Sequence, residues 1–115
     1  MGWGTVELEE EVEEWLLTLN DDDFGQVERY IDLLVDEGVH LGEPFSRQLR
    51  GKLRELRFHL GRRQTRITYY ILTGRRIVLL TVFAKTRPRE RAEIERAWRA
   101  MQTCIAEGHT AEEDG

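Results

Sequence analysis

Apolar positions recur with two different periods along this chain. From Glu9 to Asn20 the spacing is helical: Val12, Trp15, Leu16 and Leu19 fall at i, i+3, i+4 and i+7. Asn20-Asp21-Asp22-Asp23 interrupts the stripe and supplies N-cap candidates for the next helix. Phe24, Val27, Ile31, Leu34 and Val35 then mark a second amphipathic helix, which Gly38 ends as a C′ residue. Two helices joined by so short a link predict an antiparallel hairpin with its apolar face on a sheet. Ahead of them, Gly2–Leu8 predicts a short first strand.

The period then changes. Val39–Lys52 is punctuated by Gly and Pro and is read as a connection. In Leu53–Leu60, Leu56, Phe58 and Leu60 alternate with Glu55, Arg57 and His59, with Arg54 as the exception on the apolar side. Such alternation predicts a strand with one buried face and one wet face. Thr65–Leu72 is rich in β-branched and aromatic residues, and Ile77–Phe83 is almost wholly apolar, as a strand covered on both faces would be. Gly61-Arg62-Arg63-Gln64 and Thr73-Gly74-Arg75 separate the three runs and suit antiparallel hairpins. Pro88 suits the first turn of a last helix, whose stripe is Ile94, Ala97, Trp98, Met101 and Ile105. The predicted order is β-α-α-β-β-β-α. It describes an α+β fold in which a short N-terminal strand and a helical hairpin pack on a small, mainly antiparallel sheet, followed by a C-terminal helix. Residues 1–107 make one domain, and 108–115 an acidic tail expected to be disordered.

Charge changes this picture because it is segregated. The net charge of −5 hides 14 acids and 1 base in Met1–Ser46, against 16 bases and 4 acids in Arg47–Arg99. A polyanion partner is expected from the second block rather than from the net value. No apolar run approaches a membrane span, and the acidic N-terminus is unlike a signal peptide. One cysteine, Cys104, excludes an intramolecular disulfide, and the cytoplasm is the default compartment. P-loop, dinucleotide and His-Glu-x-x-His signatures are absent. His40, His59 and His109 lie in different predicted elements, so no metal site is expected.

What remains is a cationic sheet. If the strands pair in chain order, Arg57 and His59, Arg66 and Tyr70, and Phe83 and Lys85 share one face. Guanidinium groups present a planar fork to phosphate oxygens. RNA carries its own nucleophile in the 2′-hydroxyl, so a surface of this kind can orient and cut it with neither metal nor cofactor.

The residues also carry a family resemblance. Glu55-Leu56-Arg57, Arg66-Ile67-Thr68-Tyr69, Phe83-Ala84-Lys85 and Glu93-Ile94-Glu95-Arg96-Ala97 occur in the order and spacing of the phage-derived Gp49-like/HigB branch of the RelE/ParE toxin superfamily. Val12-Glu13-Glu14-Trp15-Leu16 and Leu41-Gly42-x-Pro44 are similar too, so that the likeness spans about Val6 to Met101. The resemblance implies a RelE-like fold and the toxin of a type II toxin–antitoxin pair, a ribosome-dependent mRNA endonuclease neutralised by a helix-turn-helix (HigA-like) antitoxin. It places Arg57, Arg66 and Lys85 at the scissile phosphate and Arg87 and Arg89 on flanking RNA. Arg54, Arg62 and Arg63 are further basic candidates. The last helix lacks the Tyr that some RelE-like toxins use, so His59 and Tyr70 are the candidates for proton transfer. Two alternatives stay open: a ParE-like inhibitor of DNA gyrase, and a degenerate toxin that acts only through its antitoxin. Fold analogy alone does not choose among them.

Overall fold

Two hydrophobic cores, one on each face of a mixed sheet, hold this chain together. The computed structural model describes residues 2–107; the expected disordered tail and His109 lie outside the described residues. The elements are β1 (Thr5–Leu8), α1 (Glu10–Leu17), α2 (Asp21–Glu37), β2 (Ser46–Arg50), β3 (Leu53–Leu60), β4 (Arg63–Leu72), β5 (Arg76–Ala84) and α3 (Glu90–Ala106). Short 3₁₀ turns follow α2 and precede α3. No helix among the described residues is long and apolar enough to cross a membrane.

The α1–α2 hairpin forms as the apolar stripes require. The Asn20 side chain accepts the Asp23 N–H at 2.8 Å and caps α2, whose first turn holds Asp21, Asp22 and Asp23 against the positive end of its dipole. Gly38 ends α2 at φ +55°, where a Cβ would strike the Trp3 indole. The hairpin buries Val12, Val27 and Leu34 against Leu56, Phe58, Leu60, Ile67, Tyr69, Ile77 and Leu79. On the opposite face α3 lays Ala97, Met101 and Cys104 over Leu53, Tyr70, Val78 and Leu80. Burial of each large apolar side chain contributes about 1.5–3 kcal/mol.

The sheet order is β1-β5-β4-β3-β2, antiparallel except that β1 joins β5 in parallel. The connection read over Val39–Lys52 needs correcting, since it contains the edge strand β2, paired with β3 from Ser46↔Leu56. Ser-Arg-Gln-Leu-Arg lies largely exposed, so it carries no hydrophobic alternation to betray it.

A bulge in β5 has a consequence for the site. Thr68 pairs with Thr81 but Tyr69 pairs with Leu79, so Leu80 is an extra residue. The Thr68 and Thr81 hydroxyls meet at 2.6 Å, and the Thr81 N–H donates to Thr68 Oγ1 at 3.1 Å. One added residue reverses the alternation beyond it. Val82 therefore packs toward the helical hairpin, and Phe83 comes opposite Arg66 on the other face.

Candidate functional site

Helix α3 covers only the end of its face marked by Leu53, Tyr70 and Val78. Toward the other end, β3, β4 and β5 place Arg57, Arg66 and Phe83 side by side. Arg57 and Arg66 are direct cross-strand partners. The Arg57 N–H points away from β4, donating to Phe45 O at 2.8 Å, so Arg57 and Arg66 form a non-hydrogen-bonded pair, the kind that brings side chains closest. Two like charges directly opposed are unfavourable unless something lies between them.

That something is Glu55. Only 4% exposed, it sits diagonally between the arginines, with Oε2 3.5 Å from Nε of each. Neither Nε makes a hydrogen bond, so the contacts are electrostatic rather than bidentate. Burial pushes the Glu55 carboxyl above its ordinary range, and the Arg66 and Arg57 guanidiniums only partly pull it back. Arg66, 3% exposed, is lowered by the same loss of water, with Glu55 opposing. Its remaining donors reach Thr65 O at 3.2 Å and Gln64 Oε1 at 3.4 Å. Arg47, paired with Glu55 across β2, and Glu90, at the start of α3, are close enough to act on this group electrostatically.

The other expected residues fall into three sets. His59 is exposed, pairs with Gln64 across the strands, and lines the same cleft as Arg57 and Arg66. Lys85 follows β5 directly; its N–H donates to Gln64 O at 2.8 Å, and with Arg62 and Arg63 it lines a neighbouring depression. Arg89 is exposed at the N-cap of α3. The side chain of Arg87 is outside what the structure describes.

Two residues do not join them. Tyr70 shares the face but lies fully buried beneath α3, its hydroxyl donating to Cys104 Sγ at 3.1 Å. Burial and that bond push its phenol well above its ordinary pKa, and the cover of α3 keeps it out of reach of a substrate on this surface. Arg54 points to the opposite face, where its Nε donates to Ser46 Oγ at 3.1 Å; Ser46 Oγ and the Tyr69 hydroxyl are 2.5 Å apart. Arg54 thus fastens β2 to the hairpin-side core rather than to the cationic face. Sequence reasoning put Glu55 on the wet face but gave it no part in the site. Its i, i+2 spacing from Arg57 was the available signal.

Among the described residues no three His, Cys, Asp or Glu side chains gather as a metal would need. The arrangement offers opposed guanidiniums held by one buried carboxylate, with a histidine and a lysine nearby, and it suits an anion with several oxygens.

The architecture is that of RelE-like toxins. The free E. coli toxin RelE, solved as a double mutant, aligns at TM-score 0.60 and 14% identity, covering 90% of this chain and 98% of that one. The Mycobacterium tuberculosis RelBE2 toxin–antitoxin complex matches at TM-score 0.55 and 18% identity, over 71% and 98% of the two chains. The archaeal RelE–RelB complex from Pyrococcus horikoshii matches at 0.55 and 22%, over 76% and 99%. No curated protein sequence matches the chain. The model of the phage-derived protein Gp49-like family matches residues 14–102, and the chain belongs to that family.

Proposed function

We propose that this protein is the toxin of a type II toxin–antitoxin pair and acts as an endonuclease on mRNA at the ribosome, cutting through the RNA 2′-hydroxyl. The observation that carries the reading is the cross-strand pair Arg57 and Arg66, braced by Glu55 on a part of the sheet that α3 leaves uncovered. Arg57, the more open of the two, meets a phosphate oxygen, and the charge of Arg66 buried beside it helps stabilise the negative charge that builds there as the 2′-oxygen attacks. Lys85 adds a third positive charge in the neighbouring depression. His59, exposed in the cleft, is the group placed to move a proton. Glu55 does not line the cleft and serves as a positioning residue for the two arginines. The partner is a cognate antitoxin of helix-turn-helix type; two of the structural neighbours are toxin–antitoxin complexes.

The test is cell-free translation of a reporter mRNA with purified protein, mapping new 5′ ends by primer extension. Wild type should produce ends within the translated frame, dependent on ribosomes, and Arg57→Ala and Lys85→Ala should each reduce them by about 100-fold, as loss of one oxyanion contact does. Intact mRNA at saturating wild-type protein rejects the nuclease reading.

A further inference from the structure

Next to the arginine pair lies an open cleft of about 370 Å³ with two unlike walls. One is cationic and belongs to the site above. The other is aromatic and has no part in it. Tyr30 of α2 stacks on Phe58 with ring centroids 4.8 Å apart and 15° between planes. Phe45 approaches Tyr30 at 6.4 Å and 43° yet remains 38% exposed, with one side open to the cleft. Tyr30 and Phe58 pack partly or wholly into the hairpin-side core. Core packing accounts for them but not for an uncovered phenylalanine beside two arginines.

The floor of the cleft is also unusual. Strand β2 begins at Ser46, so among the described residues no strand pairs with β3 beyond Arg57 on its outer side. The Arg57 N–H points outward to Phe45 O at 2.8 Å. By the alternation of an antiparallel ladder, the N–H and C=O of His59, two residues on, turn to the same outer side. The His59 and Gln64 side chains, paired across β3 and β4 and both exposed, rim the opening. An aromatic face, in-plane donors and acceptors, and a guanidinium alongside are what an unpaired base joined to a phosphate requires.

We propose that the cleft between Phe45 and β3 receives one unpaired nucleobase of the RNA, stacked on the open side of Phe45 and met at its edge by the His59 backbone and Gln64, on the nucleotide whose phosphate Arg57 contacts. The inference rests on the nuclease reading and adds a base subsite to it. Such a subsite favours certain sequences at the cut, because the β3 edge offers a fixed pattern of donor and acceptor.

The probe is a short RNA carrying 2-aminopurine beside a 2′-O-methylated, uncleavable linkage, presented alone and on programmed ribosomes. A second RNA has an abasic nucleotide at the same position. Wild type should quench the 2-aminopurine on binding. Phe45→Leu keeps apolar contact with Tyr30 but has no π face, and should bind about 5- to 150-fold more weakly, as should Phe45→Ala. The abasic RNA should cost wild type the same factor and cost Phe45→Leu nothing further. The salt dependence of binding should be unchanged by Phe45→Leu and reduced by Arg57→Gln. If wild type cuts mRNA but leaves 2-aminopurine unquenched, and Phe45→Leu binds like wild type, the base subsite is wrong while the nuclease reading stands. If wild type neither binds RNA on ribosomes nor cuts it, both fall together.

Discussion

Replacing Glu55 by glutamine probes the balance of charge at the centre of the site. Its Oε2 is 3.5 Å from Nε of both Arg57 and Arg66. At an effective dielectric of about 20, each contact is a gross attraction of about 5 kcal/mol. Against the two stands the hydration lost by Glu55 and Arg66, both nearly buried, and by Arg57 in part, at several kcal/mol for each fully buried ion. Repulsion between the opposed arginines adds to the cost. The upward shift of the Glu55 carboxyl shows that burial outweighs the two guanidiniums for this group. Glutamine keeps the shape and removes the charge. Glu55→Gln should therefore lie within about 1 kcal/mol of wild type at neutral pH, or be more stable, rather than lose the roughly 3–5 kcal/mol expected when a net-favourable buried pair is broken.

The pH dependence has a definite sign. A carboxyl whose pKa is raised by folding binds its proton more tightly in the folded state. Its stabilising contribution is complete below the ordinary value of 4.5 and is lost as pH rises through the higher folded value. Glutamine does not titrate. The unfolding free energy of the variant minus that of wild type should thus grow from about pH 4 upward and level off once wild-type Glu55 is ionised. Urea denaturation across that range, at matched m-values, measures it. A loss of about 3 kcal/mol or more at neutral pH, or a difference that shrinks as pH rises, refutes the argument that burial outweighs pairing here. Cleavage should still fall in the variant, because the arginines lose the carboxylate that offsets their mutual repulsion and positions them.

Two further perturbations separate scaffold from site. Tyr70→Phe removes a buried hydroxyl that donates only to Cys104 Sγ, so stability should fall by about 1 kcal/mol or less with mRNA cleavage unchanged; lost cleavage in a folded variant would return Tyr70 to the reaction. Glu11 of α1 accepts the Val82 N–H at 2.9 Å on β5 beyond the end of β1, and it also binds Arg96 of α3. Glu11→Ala should cost about 1 kcal/mol and speed amide exchange at Val82, whereas Glu11→Gln, which keeps an acceptor, should exchange nearly as wild type. Equal exchange in the two variants would assign the effect to the ion pair with Arg96 instead of to the backbone bond.

Much of this protein is written in local periodicity. The stripe from Val12 to Leu19, the stripe from Phe24 to Val35 and the alternation from Glu55 to Leu60 each reflect which face must leave water, and each forms the expected element. The same alternation, with two Gly-containing turns, was enough to bring Arg57, His59 and Arg66 to one end of one face. Three features were decided only by tertiary structure. Edge strand β2 is largely exposed and so has no period to read. The bulge at Leu80 depends on the Thr68–Thr81 pairing across strands; Phe83 is on the face of Arg66 as expected, but it reaches that face only through this bulge. The extent of α3 over the sheet separates Tyr70 from Arg66, two residues that alternation treats as equals: one is sealed beneath Cys104, the other joins the cleft. Glu55 shows the difference most plainly. Its spacing put it on the wet face, yet folding removed it from water, because a carboxylate between two cross-strand arginines relieves a repulsion that exists only once the strands have paired.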